Sequence, residues 1–141
     1  MDIRLTPPDG WVDRSMIAVS APEPTATGVA PNLVVTRDVF LDEDKGGDKE
    51  RIRSFADRQL GFMREQLPEP VVHSQKLTQV AGKRAAEILV SWNSSGTRIT
   101  QWVVFIARDE ERVAVSTATA NETDFAAHEP TFRETLAHIE L

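Results

Sequence analysis

Groups able to do chemistry are few in this sequence, and their spacing does not suit the common reactions. The three histidines are His73, His128 and His138. None stands in an H-x-x-x-H or H-E-x-x-H pattern, which would turn two imidazoles toward one metal. His128 and Glu129 lie near Asp124 in an apparent acid–base cluster that reads more simply as a loop leading into a helix. There is no cysteine, so disulfides, thiolate nucleophiles and cysteine-ligated zinc are excluded. Glycines are scattered and form no phosphate-cradling loop. Ser94-Ser95-Gly96 lies between two strand-like segments, not in the strand-turn-helix context of a nucleophile elbow. Catalysis needs titratable groups gathered in a cleft, whereas these carboxylates fall in turns and on a helix surface. The expectation is a protein that is not an enzyme and needs no metal or cofactor.

Binding chemistry is better represented. Gln59 follows Ile52 by seven residues and precedes Met63 by four, beside an apolar helix stripe. Gln101 shares a strand face with Ile99 and Val103, and Thr36 sits mid-strand after Leu33-Val34-Val35. A buried amide left without a hydrogen bond costs about 1–3 kcal/mol. Each of these groups therefore bonds to nearby backbone or offers its polar atoms to a partner within an apolar interface. For any one residue the backbone reading leads. For the set, placed among Ile17, Val19, Leu33 and Val35, the partner reading competes. Of the tryptophans, Trp11 and Trp92 are expected in the core, and the place of Trp102 depends on strand register.

The elements that must position these residues follow from periodicity. Pro7-Pro8-Asp9-Gly10 is a turn signal, and Arg14 to Ala21 reads as a first strand. Pro22 to Pro31 is a proline-rich loop, and Asn32 to Leu41 a second strand. The charged run Asp42 to Asp48 reads as a solvated connector with Asp48 as a helix N-cap. Ile52, Phe55, Ala56, Leu60, Met63 and Leu67 form one stripe of a helix that ends at Pro68 and Pro70. Val71 to Val80 is a third strand, and Arg112 to Ala120 a Val- and Thr-rich later one. A last helix is predicted from about Pro130 to Ile139. The order ββ-α-ββββ-α describes a single α+β domain over residues 1–141, a twisted antiparallel sheet of about six strands with two helices packed on it.

Between the third and last strands, Ala85 to Asn93 and Gly96 to Ala107 flank Ser94-Ser95 as a hairpin. With Asn93 opposite Gly96, one face carries Ala86, Ile88, Val90, Trp92, Ile99, Gln101, Val103 and Phe105. The other carries Ala85, Leu89, Thr100, Trp102, Val104 and Ile106. An antiparallel sheet usually shows water one polar face, and this one asks for cover on both. Two helices offer little cover, so a partner is expected to supply the rest.

Composition agrees with a soluble binding protein. The 141 residues suffice for one core, and 40% are hydrophobic. The formal net charge of −6 argues against nucleic acid. No run approaches the roughly 20 apolar residues of a membrane span, so no stable membrane insertion is expected. The beginning, Met1-Asp-Ile-Arg-Leu-Thr-Pro-Pro, has no signal-peptide character, and a cytoplasmic location is expected.

Gly10-Trp11-Val12-Asp13-Arg14-Ser15 resembles the opening GWxDxS turn of the DcrB-like family, and Asn32-Leu33-Val34-Val35-Thr36-Arg37 its NLVVSR strand. Gly82-Lys83-Arg84-Ala85-Ala86-Glu87, with Trp92, Gly96 and Gln101, is similar to its central hairpin. Gln59-Leu60, Thr117-Ala118-Thr119 and Pro130-Thr131-Phe132 extend the likeness over nearly the whole chain. The charged connector is the main departure. The resemblance implies a PsbP-like fold and, for free-standing members, the role of an Eag-type chaperone of type VI secretion. Such a chaperone is a homodimer. It binds apolar N-terminal transmembrane segments of a secreted effector of PAAR or Rhs type and keeps them soluble for loading on the VgrG spike. The partner-binding set implied is Ile17, Val19, Leu33, Val35, Thr36, Gln59, Gln101, Val103 and Phe105. The competing expectation is a self-associating or small-ligand-binding protein of the same fold, its second apolar face closed by its own copy.

Overall fold

A computed structural model describes residues 5–11, 14–22 and 29–141. The element order is β1 (Ile17–Ser20), β2 (Asn32–Val39), α1 (Asp48–Gln66), β3 (Val71–Val80), β4 (Lys83–Ser94), β5 (Thr97–Ala107), β6 (Arg112–Asn121) and α2 (Phe125–Ala137). All six strands form one antiparallel sheet in the order β1-β2-β6-β5-β4-β3. The fold class is as expected from the periodicity. The Pro22–Pro31 loop falls mostly outside the described residues, as do Val12 and Asp13 of the opening turn.

The hairpin differs from expectation by two residues. Ser94 pairs with Thr97 and Asn93 with Arg98. The two-residue turn is Ser95-Gly96, with φ of 52° and 90°. Positive φ at both centres is what a tight hairpin requires to match strand twist. A slip of two preserves the side-chain alternation, so both face assignments survive.

Each face of the central strands carries its own helix. The stripe of α1 buries Ile52, Phe55, Ala56 and Leu60 against Ala86, Ile88, Val90, Val103, Phe105 and Val113. Phe55 meets Phe105 edge-on with ring centroids 5.3 Å apart, a favoured aromatic geometry. On the opposite face α2 buries Phe125, Phe132 and Leu136 against Leu33, Trp102, Val104, Ile106 and Ala118. The two-faced sheet is therefore sealed over β4, β5 and part of β6 within the chain. The expected need for outside cover of the hairpin is corrected: one helix per face suffices there.

Helix ends also depart from expectation. Gly47, not Asp48, is the N-cap of α1, with no side-chain capping bond; Asp48 is already helical and pairs with Arg51. α2 begins at Phe125 and carries Pro130 inside it. Proline marks a helix start well, but burial of Phe125 beside Phe132 (centroids 5.8 Å apart) draws the preceding turn onto the sheet. Trp11, expected in the core, is 74% exposed, since the described chain before β1 packs on no core cluster. Trp92 is half-buried. Trp102 is buried under α2, with the Arg133 guanidinium 4.5 Å above its ring.

The connector between β2 and α1 is more than a solvated loop. Asp44 is buried, and its side chain is inaccessible to water. Its carboxylate accepts from Arg58 at 2.7 and 2.9 Å, from Ser54 at 2.6 Å and from the Leu41 N–H at 2.9 Å. Burial alone would raise its pKa. The bonds from Arg58, Ser54 and Leu41, with the Arg58 charge, outweigh that and hold it below the ordinary carboxylate value. Arg58 is raised in turn by its bond to Asp44. This pair ties α1 to the chain that leaves β2.

Candidate partner-binding surface

Strand register decides which of the nine expected residues share a face. Ile17 pairs with Val35 and Val19 with Leu33. Leu33 and Val35 pair onward with Ala118 and Ser116, which oppose Trp102 and Val104. These four apolar residues therefore lie on the α2 face. Thr36 pairs with Val115, which opposes Phe105, and Gln101 and Val103 alternate with Trp102 and Val104. Thr36, Gln101, Val103 and Phe105 therefore lie on the α1 face. The expected single surface is two groups on opposite sides of the sheet, because Thr36 follows Val35 directly and adjacent strand residues point opposite ways.

On the α1 face the group is consumed within the chain. Val103 and Phe105 are buried beneath α1. The Gln101 Oε1 accepts from Trp92 Nε1 at 2.8 Å, and its Nε2 donates to Thr119 Oγ1 at 3.1 Å. Neither reading of Gln101 anticipated this side-chain ladder across β4, β5 and β6, which engages both ends of the amide. Gln59 is half-buried on α1, next to Leu60 of the stripe. Thr36 is half-buried in the middle of β2.

On the α2 face an apolar strip remains open. Ile17 is 68% and Val19 49% exposed, although both are strand residues of high β-propensity. Val35 is half-buried beside them, and Leu33 is buried at the base. The strip runs into a cavity of about 180 Å³ between the β1–β2 edge and α2, lined by Val19, Leu33, His128, Thr131, Phe132 and Thr135. α2 covers Leu33 of β2 as well as β5 and β6, but leaves Ile17 and Val19 of β1 open. The α2 residues were not anticipated in this role. A helix begun five residues earlier than proline suggests presents His128 here, one turn before Phe132.

One constellation resembles catalytic chemistry. His73 Nε2 lies 2.8 Å from Ser91 Oγ, which lies 2.6 Å from Thr100 Oγ1. Ser91 is 0% exposed, so no substrate carbonyl reaches its hydroxyl. His73 occupies the register shift of β3 between Val72 and Ser74, and the bond tethers that bulge to β4.

No helix among the described residues is long and apolar enough to cross a membrane. Similarity to known proteins agrees with the architecture. Protein PA94 of Pseudomonas aeruginosa, a protein of unknown function, superposes with a TM-score of 0.77 at 23% identity, covering 95% of this chain and 88% of its own. LpqN of Mycobacterium tuberculosis, involved in cell envelope biogenesis, gives 0.60 at 13% identity, with 92% and 85% covered. The cyanobacterial PsbP of Synechocystis gives 0.51 at 8% identity, with 86% and 78% covered. These likenesses establish a PsbP-like fold. No curated protein matches the chain. The DcrB family model matches residues 3–138. The chain belongs to the DcrB family.

Proposed function

We propose that the chain is a cytoplasmic, non-enzymatic chaperone that acts as a homodimer. It binds apolar N-terminal segments of a type VI secretion effector and keeps them soluble for loading on the VgrG spike. The observation that carries this reading is the open strip Ile17–Val19–Val35 and its continuation into the cavity beside Phe132.

Burying a large aliphatic side chain completely is worth about 1.5–3 kcal/mol. With about two thirds of Ile17 and half of Val19 still exposed, their closure contributes roughly 2–3 kcal/mol together. That is too little for a specific complex by itself, since association carries its own entropic cost. A partner that is apolar along its own length supplies the remainder. A transmembrane segment in water is such a partner, and burial of greasy area makes little demand on its sequence. The likeness of the chain to Eag-type members of the DcrB family favours this role over that of a small-ligand carrier.

Co-expression with an effector's apolar N-terminal segments tests the reading. A soluble complex that co-purifies is expected. Segments that aggregate equally with and without the chain contradict it. A dimer that leaves no apolar surface open and binds no segment favours self-association instead.

A further inference from the structure

The turn before β1 has no place in either core cluster. It runs from Pro8 to Trp11 and is closed by a hydrogen bond from the Trp11 N–H to the Pro8 carbonyl at 3.0 Å. Gly10 holds a φ of 83°, the positive value that the third position of a type II turn demands. Pro7 and Pro8 fix the backbone leading into it. An ordered turn thus holds Trp11 out in water, and Leu5, six residues earlier, is 90% exposed. A tryptophan presented this way loses little freedom on docking and suits the anchor of an interface.

The direction of β1 says where such an anchor reaches. β1 runs antiparallel to β2, with Ile17 opposite Val35 and Val19 opposite Leu33. The chain ahead of Ile17 therefore lies toward Val39, and Arg14 lines a groove with Val39. The cavity beside Phe132 is at the other end of β1, against Val19 and Leu33. The turn thus leads away from the cavity of its own chain. β1 is also an edge strand, with β2 on one side and, among the described residues, no strand on the other. The unpaired N–H and C=O groups of such an edge template pairing with another chain. When two β1 strands pair antiparallel about a two-fold axis, the chain ahead of Ile17 in one copy runs past Ser20 of the other, toward the other's cavity.

We propose that Trp11 anchors a symmetric dimer by seating in the cavity beside Phe132 of a second copy. The β1 edges pair, and each turn crosses onto the other copy's apolar strip. Six residues separate Trp11 from Ile17, a reach of about 20 Å when extended. Leu5, Trp11, Ile17 and Val19 together take about 350 Å² of apolar surface per copy out of water. Doubled by symmetry, and with the usual polar share of an interface, the contact buries about 1,200 Å², the lower bound for specific stable complexes. The inference rests on the reading that the strip takes an apolar segment, and it names what fills the strip before an effector does.

The chain has no cysteine, so single ones report proximity cleanly. Asp9→Cys marks the turn and Thr131→Cys the cavity. The two variants are mixed without effector and treated with a short bis-maleimide. Cross-linked dimers well above the yield of either variant alone are expected. Sedimentation equilibrium reads the dimer itself. Trp11→Ser, outside both core clusters, is expected to raise its dissociation constant about thirtyfold with the circular dichroism unchanged. Phe62→Ser, on exposed α1 surface, leaves the constant as it was. A monomeric wild type, wild-type dimerisation by Trp11→Ser, or equal cross-linking of the mixture and the single variants overturns the proposal. Cross-linking within single chains that carry both cysteines, and not between chains, overturns the exchange and assigns the turn to its own cavity. No effector enters the experiment, so its failure is distinct from a failure to co-purify an effector segment.

Discussion

Removing Arg58 and removing Asp44 break the same ion pair but are predicted to cost different amounts. Arg58→Ala leaves a carboxylate whose side chain has no exposure and whose remaining partners are only Ser54 and the Leu41 N–H. An uncompensated buried charge costs about 3–5 kcal/mol, and those two remaining bonds put this case near 3. The variant also loses the guanidinium that packs 5.1 Å from the Phe55 ring. Asp44→Ala instead leaves a guanidinium already 18% exposed, with Glu43 3.3 Å away. Arg58 can turn to water, so the loss is that of charge-assisted hydrogen bonds, about 1.5 kcal/mol. The difference of about 1.5 kcal/mol is roughly 1 M in urea midpoint. Both losses depend on pH. Asp44 is lowered in the folded chain, while in the unfolded chain it titrates near 3.9. In acid the unfolded chain binds more protons, so this contribution is complete above about pH 4 and is lost as pH falls through the folded value. Urea unfolding at pH 7 and pH 3 reads both effects. Equal losses for the two variants, or a gap between wild type and Asp44→Ala that does not shrink in acid, would refute the reasoning.

Three further outcomes follow from the packing. Phe105→Ala, which empties the core beneath α1, is expected to cost about 3–5 kcal/mol by thermal or urea unfolding, whereas Ile17→Asp at an exposed strand position costs about 1 kcal/mol or less. Gln101→Leu breaks the ladder from Trp92 to Thr119 and is expected to cost about 1–2 kcal/mol in urea while leaving partner binding intact. Ala81 holds a φ of 51° in the β3–β4 turn, a conformation that glycine adopts freely, so Ala81→Gly is expected to raise stability by about 0.5–1 kcal/mol in the same assay.

Local rules carried most of the fold. The stripe from Ile52 to Leu67 and the alternation in Ala85–Ala107 are signals contained in single segments, and they gave α1 and both faces of the hairpin. The two-residue slip at Ser94–Gly96 was harmless because it preserved alternation. What escaped depends on pairs distant in the chain. Asp44 reads as solvated until Arg58, fourteen residues later, turns back over it. The Gln101 amide reads as unclaimed until Thr119 arrives on the neighbouring strand. The expected interface joined Leu33 to Val103 because both are apolar strand residues. Only the pairing of Val103 with Thr117, and of Thr117 with Val34, shows that Val103 lies opposite Leu33's face.

The central claim is that the strip on the α2 face, and not the sheet core, receives a partner's apolar segment. It is tested most directly by co-purifying an effector N-terminal segment with three proteins: wild type, Ile17→Asp with Val19→Asp, and Phe62→Asp. Phe62 is 52% exposed on α1 and serves as the apolar surface control. With all three folded by circular dichroism, the account predicts that wild type and Phe62→Asp retain the segment and the double variant loses it. Retention by the double variant, or loss with Phe62→Asp alone, would contradict it.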